Sequence, residues 1–153
     1  MVYEKLLNEA YQNDIDIYEK KMPPKIKGLY ADNVIWINNT INETNEKSCV
    51  LAEELGHHHT SSGDILNQSH LENRKQEKQA RKWAHTKLIT LSSIIDAYND
   101  GVSSRFEFAE YLNVTEEFLL EGIGSLKEQH GVCTTINNYT IFFDPLAVLE
   151  MFE

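Results

Sequence analysis

Charge placed on an apolar helical face constrains this chain more than any other feature. Cys49-Val50-Leu51-Ala52-Glu53-Glu54-Leu55-Gly56-His57 is apolar apart from two carboxylates and an imidazole. Read as a helix beginning near Thr44 or Asn45, it sets Glu53 and His57 on one face, because positions i and i+4 stack there. Cys49 and Val50 share that face, and Glu54 lies about 100° round the axis. A buried carboxylate is costly unless it is paired or bound to a cation. Whatever fold the chain adopts must therefore give these side chains partners.

A second segment repeats the problem. Glu77, 20 residues beyond His57, lies in a helix expected over about Glu72 to Ile89 and opens a helical stripe of Ala80, Ala84, Leu88 and Leu91. Glu77 is thus expected on a buried face. Two carboxylates on apolar stripes beside a histidine repel one another, and a divalent cation between them removes the conflict. The spacing is that of the HExxH metallopeptidase motif with glutamate in the first histidine position, EExxH. In that motif two ligands one turn apart grip a metal, and the glutamate between them serves as general base on the water that the metal activates. A carboxylate ligates zinc at nearly the imidazole distance. The expected metal ligands are therefore Glu53, His57 and Glu77, with Glu54 as the catalytic base. His58 and His59 continue the run as helix-end residues, and one of them is an alternative to Glu53. His70, His85 and Tyr111 are weak candidates for stabilising the transition state. Cys49 is expected to pack, with no base or helix N-terminus placed to activate it.

The rest of the chain reads as short elements. A helix is expected over Val2 to Tyr18, ended at the latest by Pro23-Pro24. Ile26 to Tyr30 and Val34 to Ile37 form a hairpin about Asp32-Asn33. Thr60 to Asp64 is a loop. Further helices are expected at Leu91 to Tyr98, closed by Asn99-Asp100-Gly101, and at Ser104 to Gly122, split near Asn113. A hairpin over Val132 to Phe143 and a terminal helical turn over Pro145 to Phe152 complete the chain.

The length suits one domain, and the absence of a signal-like N-terminus or a bilayer-length apolar run points to the cytoplasm, away from membranes. Cys49 and Cys133 are expected as free thiols. The net charge of −10 argues against direct nucleic-acid binding. Charge is nevertheless uneven, with Arg74, Lys75, Lys78, Arg81, Lys82 and Lys87 crowded into one segment. Phe106 to Leu120 has helix-turn-helix spacing, but its second helix carries Glu116, Glu117 and Glu121 and no cation, so it does not suit a recognition helix.

Cys49 to Thr60 resembles the active-site helix of the ImmA/IrrE-type metallo-endopeptidases of phages and mobile genetic elements. Gln76 to Ala84 with Lys87-Leu88-Ile89 is similar to the ligand helix of that family, and the likeness continues through Arg105 to Thr115. The resemblance implies an α+β fold: a mostly helical, zincin-like core with a small β-sheet before the active-site helix, over 1–100, and a helical and hairpin C-terminal extension over 101–153, all in one domain. It also implies a gluzincin-like enzyme holding one divalent metal through Glu53, His57 and Glu77. Zinc is expected, with manganese or iron as alternatives because two carboxylates and one imidazole make a hard donor set. The implied partner is a helix-turn-helix repressor protein, cleaved to relieve repression. A non-catalytic anti-repressor that sequesters an intact repressor is the competing reading.

Overall fold

The computed structural model describes residues 2–60 and 70–152. The chain is α+β, with six helices and six strands among the described residues. It divides into two compact units, Met1–Ala84 and His85–Glu153. None of the described helices is long and apolar enough to cross a membrane.

The first unit opens with helix α1, Val2–Gln12, which buries Leu6 and Ala10. The helix expected as far as Tyr18 stops here. Asp14 takes a left-handed φ of 58°, Asp14 N–H bonds Tyr11 O, and Ile15 N–H bonds Ala10 O at 2.9 Å. These bonds satisfy the last helical carbonyls and turn the chain outward, with Ile15 buried behind them. The next residues, Asp16–Lys20, form strand β1 and not the last turns of the expected helix.

Strands β2, Gly28–Ala31, and β3, Val34–Asn38, form the expected antiparallel hairpin. Asp32 and Asn33 both have left-handed φ, as a two-residue turn matched to the strand twist requires. β1 pairs in parallel with β3, so the sheet order is β1-β3-β2. Ile35 and Ile37 are fully buried on one face of β3. Helix α2, Thr44–Thr60, packs on this sheet and against α1, and buries Val50, Leu51, Ala52 and Leu55. Helix α3, His70–Leu88, runs across the boundary between the units. The loop expected over Thr60 to Asp64 lies, from Ser61 on, outside the described residues.

Asn38 closes the end of β3. It is 1% exposed and its hydrogen-bonding capacity is filled. Nδ2 donates to the carbonyls of Met22, Pro23 and Ile26, and Oδ1 accepts from Met22 N, Thr40 N and Thr40 Oγ1. One side chain thus fixes the 22–26 loop that delivers the chain to β2.

In the second unit, α4, Leu91–Asn99, starts with a reciprocal cap in which Thr90 and Ser93 bond each other's backbone N–H. It ends at left-handed Gly101. Helix α5, Arg105–Leu112, ends at left-handed Asn113, close to the expected split. Helix α6, Glu116–His130, runs eight residues past the expected end at Gly122. β4, Cys133–Ile136, and β5, Tyr139–Phe143, make the expected hairpin. The terminal helical turn is not formed. Leu146–Glu150 is strand β6, paired antiparallel with β5 from Phe143↔Leu146 onward. Its short apolar run suits strand or helix equally, and pairing along β5, with Val148 opposite buried Ile141, decides for the strand.

Asn38→Asp would replace the donor facing three carbonyls by an acceptor. We expect a loss of roughly 2–4 kcal/mol in urea unfolding, from the buried groups left unsatisfied. A loss under about 1 kcal/mol would mean that water can replace these bonds.

Candidate functional site

The candidate residues sit where α2 and α3 cross. An ideal Cβ at Gly56 would lie 2.3 Å from Ala80 O and 2.9 Å from its carbonyl carbon. Only a residue without a side chain lets the helices approach so closely. Gly56 directly precedes His57, and Ala80 lies one turn beyond Glu77. The crossing therefore delivers His57 Nε2 to 3.2 Å from Glu77 Oε1.

His57 is 8% exposed, as expected, and its Nδ1 is buried with no hydrogen-bond partner among the described residues. Glu77 differs from expectation: its side chain keeps 60% of its surface. The stripe behind it is buried at Ala80 and Ala84, but Glu77 stands at the rim of that stripe. The carboxylate that bears the burial cost is Glu54.

Burial raises the Glu54 carboxyl from 4.5 to about 7, and the charges of Glu77 and Glu53 push the same way against the attraction of His57. Part of its cover is β2, where an ideal Cβ at Gly28 would lie 3.1 Å from Glu54 Cγ and 2.7 Å from Val50 Cγ1. Burial disfavours the charged form of His57, but its hydrogen bond to Glu77 and the charges of Glu54, Glu77 and Glu53 outweigh this and raise its proton affinity. The His57 hydrogen bond, aided by the charges of His57 and Arg81, holds Glu77 below the usual carboxylate range despite partial burial.

The structure thus brings His57 and Glu77 together and sets Glu54 beside them. Glu53 is half-buried one turn before His57 and its charge reaches the imidazole. Among the described residues, however, no three His, Cys, Asp or Glu side chains gather around one cation position. Of the three weak candidates for transition-state stabilisation, none stands beside the pair in the described residues of the first unit. The side chain of His70 lies outside the described residues. His85 is buried in the second unit between Ser125 and Glu121, with its ring against Phe118. Tyr111 donates to Asp100. Cys49 is buried, as expected of a packing residue, and Cys133 is exposed; neither is in a disulfide.

Several residues that shape the site escape the motif and the apolar stripes. Gly56 and Gly28 are two of them. A glycine inside a helix costs about 1 kcal/mol relative to alanine, and one inside a strand weakens it. Either costly position is a signal of close approach. Tyr30 is a third: its hydroxyl lies 2.7 Å from His58 Nδ1. His59 stacks on Trp83 with ring centroids 4.7 Å apart, a further tie between α2 and α3.

Whether these residues suit a divalent cation can be tested on the His57–Glu77 pair. Two ligands of a tetrahedral ion with bonds of ~2.0–2.1 Å are separated by ~3.3 Å, close to the 3.2 Å observed. The charges of three carboxylates reach one imidazole, of which Glu77 alone is shown in contact with it, and together with that hydrogen bond they raise the proton affinity of His57. The proton between His57 and Glu77 neutralises a position where a cation would do the same. Two donors fit such an ion as they stand, and Glu53 is the carboxylate one turn before His57 on the same helix.

Gly56→Ala gains helix propensity yet should destabilise the protein by roughly 1–3 kcal/mol through overpacking against Ala80. Thermal unfolding measures it, and a rise in midpoint would contradict the close crossing. The pH dependence of Glu54 has a definite sign. Below pH 4.5 the carboxyl is neutral in both states. From 4.5 to about 7 the unfolded chain ionises first, so stability is lost across that window. Chelator-treated Glu54→Gln should match the parent at pH 4 and exceed it by roughly 1–3 kcal/mol at pH 8. Equal melting at both pH values would show that Glu54 is well solvated.

A family model described as the IrrE N-terminal-like domain, a peptidase family, matches residues 10–123. No curated protein matches the chain.

Proposed function

Because the chain belongs to the IrrE N-terminal-like peptidase family, we propose that it is a metal-dependent endopeptidase built on a zincin-like core, with a helix-turn-helix repressor as its protein substrate. The observation that carries the reading is the His57–Glu77 pair at 3.2 Å with half-buried Glu54 beside it. Glu53, His57 and Glu77 would hold one divalent ion, with zinc, manganese or iron suiting the donors. When bound, that ion supplies Lewis acidity toward a peptide carbonyl and acidifies water.

The chain's own groups account for the proton traffic. A carboxylate titrating at about 7 takes and returns a proton at neutral pH better than an ordinary glutamate, because an effective base has a pKa near the working pH. Glu54 is the proton acceptor, and its partial burial is the main cause of its raised proton affinity. Glu77 stays ionised under the influence of His57 and Arg81, so it serves as a fixed negative donor and not as a second base. His57 is held by α2 on one side and by Glu77 on the other. The enzyme would act in the cytoplasm, where such repressors work.

A second reading is capture of an intact repressor without cleavage. It is favoured by Glu53 standing outside the His57–Glu77 pair. Substrate fate separates the two.

Protein purified without added metal should carry about one equivalent of divalent ion, and His57→Ala should lose it. Glu54→Gln should keep the metal and cleave a repressor substrate on the order of 10²–10⁴-fold more slowly. Mass spectrometry of the mixed proteins should show repressor fragments. Undiminished cleavage by Glu54→Gln would overturn the assignment of the base, and an intact but captured repressor would establish sequestration.

A further inference from the structure

The outer face of α3 carries charge that no ion pair among the described residues of the first unit balances, apart from the influence of Arg81 on Glu77. Arg74, Lys75, Lys78, Arg81 and Lys82 are all exposed. At 3.6 residues per turn they fall within an arc of about 120°. With Glu77 as the sole carboxylate among residues 74–82, this stretch has a local charge of +4 on a chain of net −10, leaving −14 elsewhere. Neighbours at i+3 and i+4, such as Arg74–Lys78, Lys75–Lys78 and Lys78–Lys82, repel by roughly 0.2–0.5 kcal/mol a pair. Glu77 feels the charge of Arg81, but among the described residues Arg74, Lys75, Lys78 and Lys82 form no ion pair. Among the described residues the stripe is thus left without paired carboxylates, and its like charges repel along the helix.

We infer that this stripe is a docking surface for a short acidic segment of the protein substrate, held beside the His57–Glu77 pair. The inference rests on the peptidase reading for the word substrate, and on charge complementarity for the rest. Position supports it, since Glu77 lies about 40° round the helix from Arg81 and one turn before it. A segment lying on the stripe runs past the candidate site. Size selects the occupant. The five cations extend over ~12 Å of helix, the length of about four extended residues. A run of that length meets only the cations. Duplex nucleic acid is much longer than the stripe and would also face the −14 carried by the rest of the chain.

The test is fluorescence anisotropy on the full chain, with a labelled short peptide carrying about four consecutive glutamates, the span set by the stripe. The controls are the same peptide with glutamines and a labelled DNA duplex. The proteins are the native chain, the triple variant Lys75→Gln, Lys78→Gln, Lys82→Gln, and His57→Ala. The acidic peptide should bind the native chain at least about tenfold better than its glutamine counterpart, and binding should weaken as salt screens the charges. The triple variant should lose that preference while keeping its circular dichroism spectrum and metal content. His57→Ala should bind the peptide like the native chain, so a failed metal or cleavage assay cannot be confused with a failed docking surface. Equal binding of the two peptides, undiminished binding by the folded triple variant, or tighter binding of the duplex would each overturn the inference.

Discussion

The candidate site depends on one close approach, the crossing of α2 and α3 at Gly56 and Ala80. The carbonyl of Ala80 occupies space that any side chain at position 56 would claim. Because the helices meet there, His57 and Glu77, from segments 20 residues apart, end within 3.2 Å of each other. The stacked His59 and Trp83 rings tie the same helices at a second point. Helix propensity opposes a glycine at this position by about 1 kcal/mol, and the fold accepts that cost where His57 and Glu77 come together.

The opposite side of α2 is set by the sheet. Val50 and Glu54 share one flank of the helix, and both press on Gly28 of β2. Asn38 governs the loop that leads into β2, through bonds to Met22, Pro23 and Ile26. A chain of constraint runs from a satisfied buried amide, through the strand it positions, to a carboxylate covered well enough to hold its proton up to about pH 7. Small residues at two contacts thus set both the reach of His57 and the burial of Glu54.

The helices of the site are legible in the sequence because their signals are local. The i, i+4 relation of Glu53 and His57, the apolar stripe behind Glu77 and the Asp32-Asn33 turn each arise from adjacent residues. Gly101 and Asn113 announce the ends of α4 and α5 for the same reason. Asp14 stops α1 with the same left-handed geometry, but aspartate adopts it far less readily than glycine, so helical periodicity carries the reading on into β1. β6 is hidden because its apolar run becomes a strand only by pairing with β5. The exposure of Glu77 is hidden because helical periodicity assigns a residue to a stripe without saying where the neighbouring helix ends its cover. The tight α2–α3 crossing is likewise a tertiary fact, marked in the sequence only by a glycine in an unfavourable place.

The exposure of Glu77 separates its chemistry from that of Glu54. Had Glu77 been as buried as Glu54, both carboxylates would be pushed toward the neutral form and neither would serve as a fixed anion. Instead the environments separate them: burial raises Glu54 to about 7, while the His57 hydrogen bond and the partial exposure keep Glu77 ionised. Paired titratable groups driven in opposite directions are the arrangement by which a site divides acid–base work from charge stabilisation. Glu54 is left to exchange a proton near neutrality, and Glu77 to stay negative whether a proton or a cation lies between it and His57. The cations of α3 extend the same division outward. Arg81 helps keep Glu77 ionised, and the lysines and arginine beside it present the opposite charge to solvent.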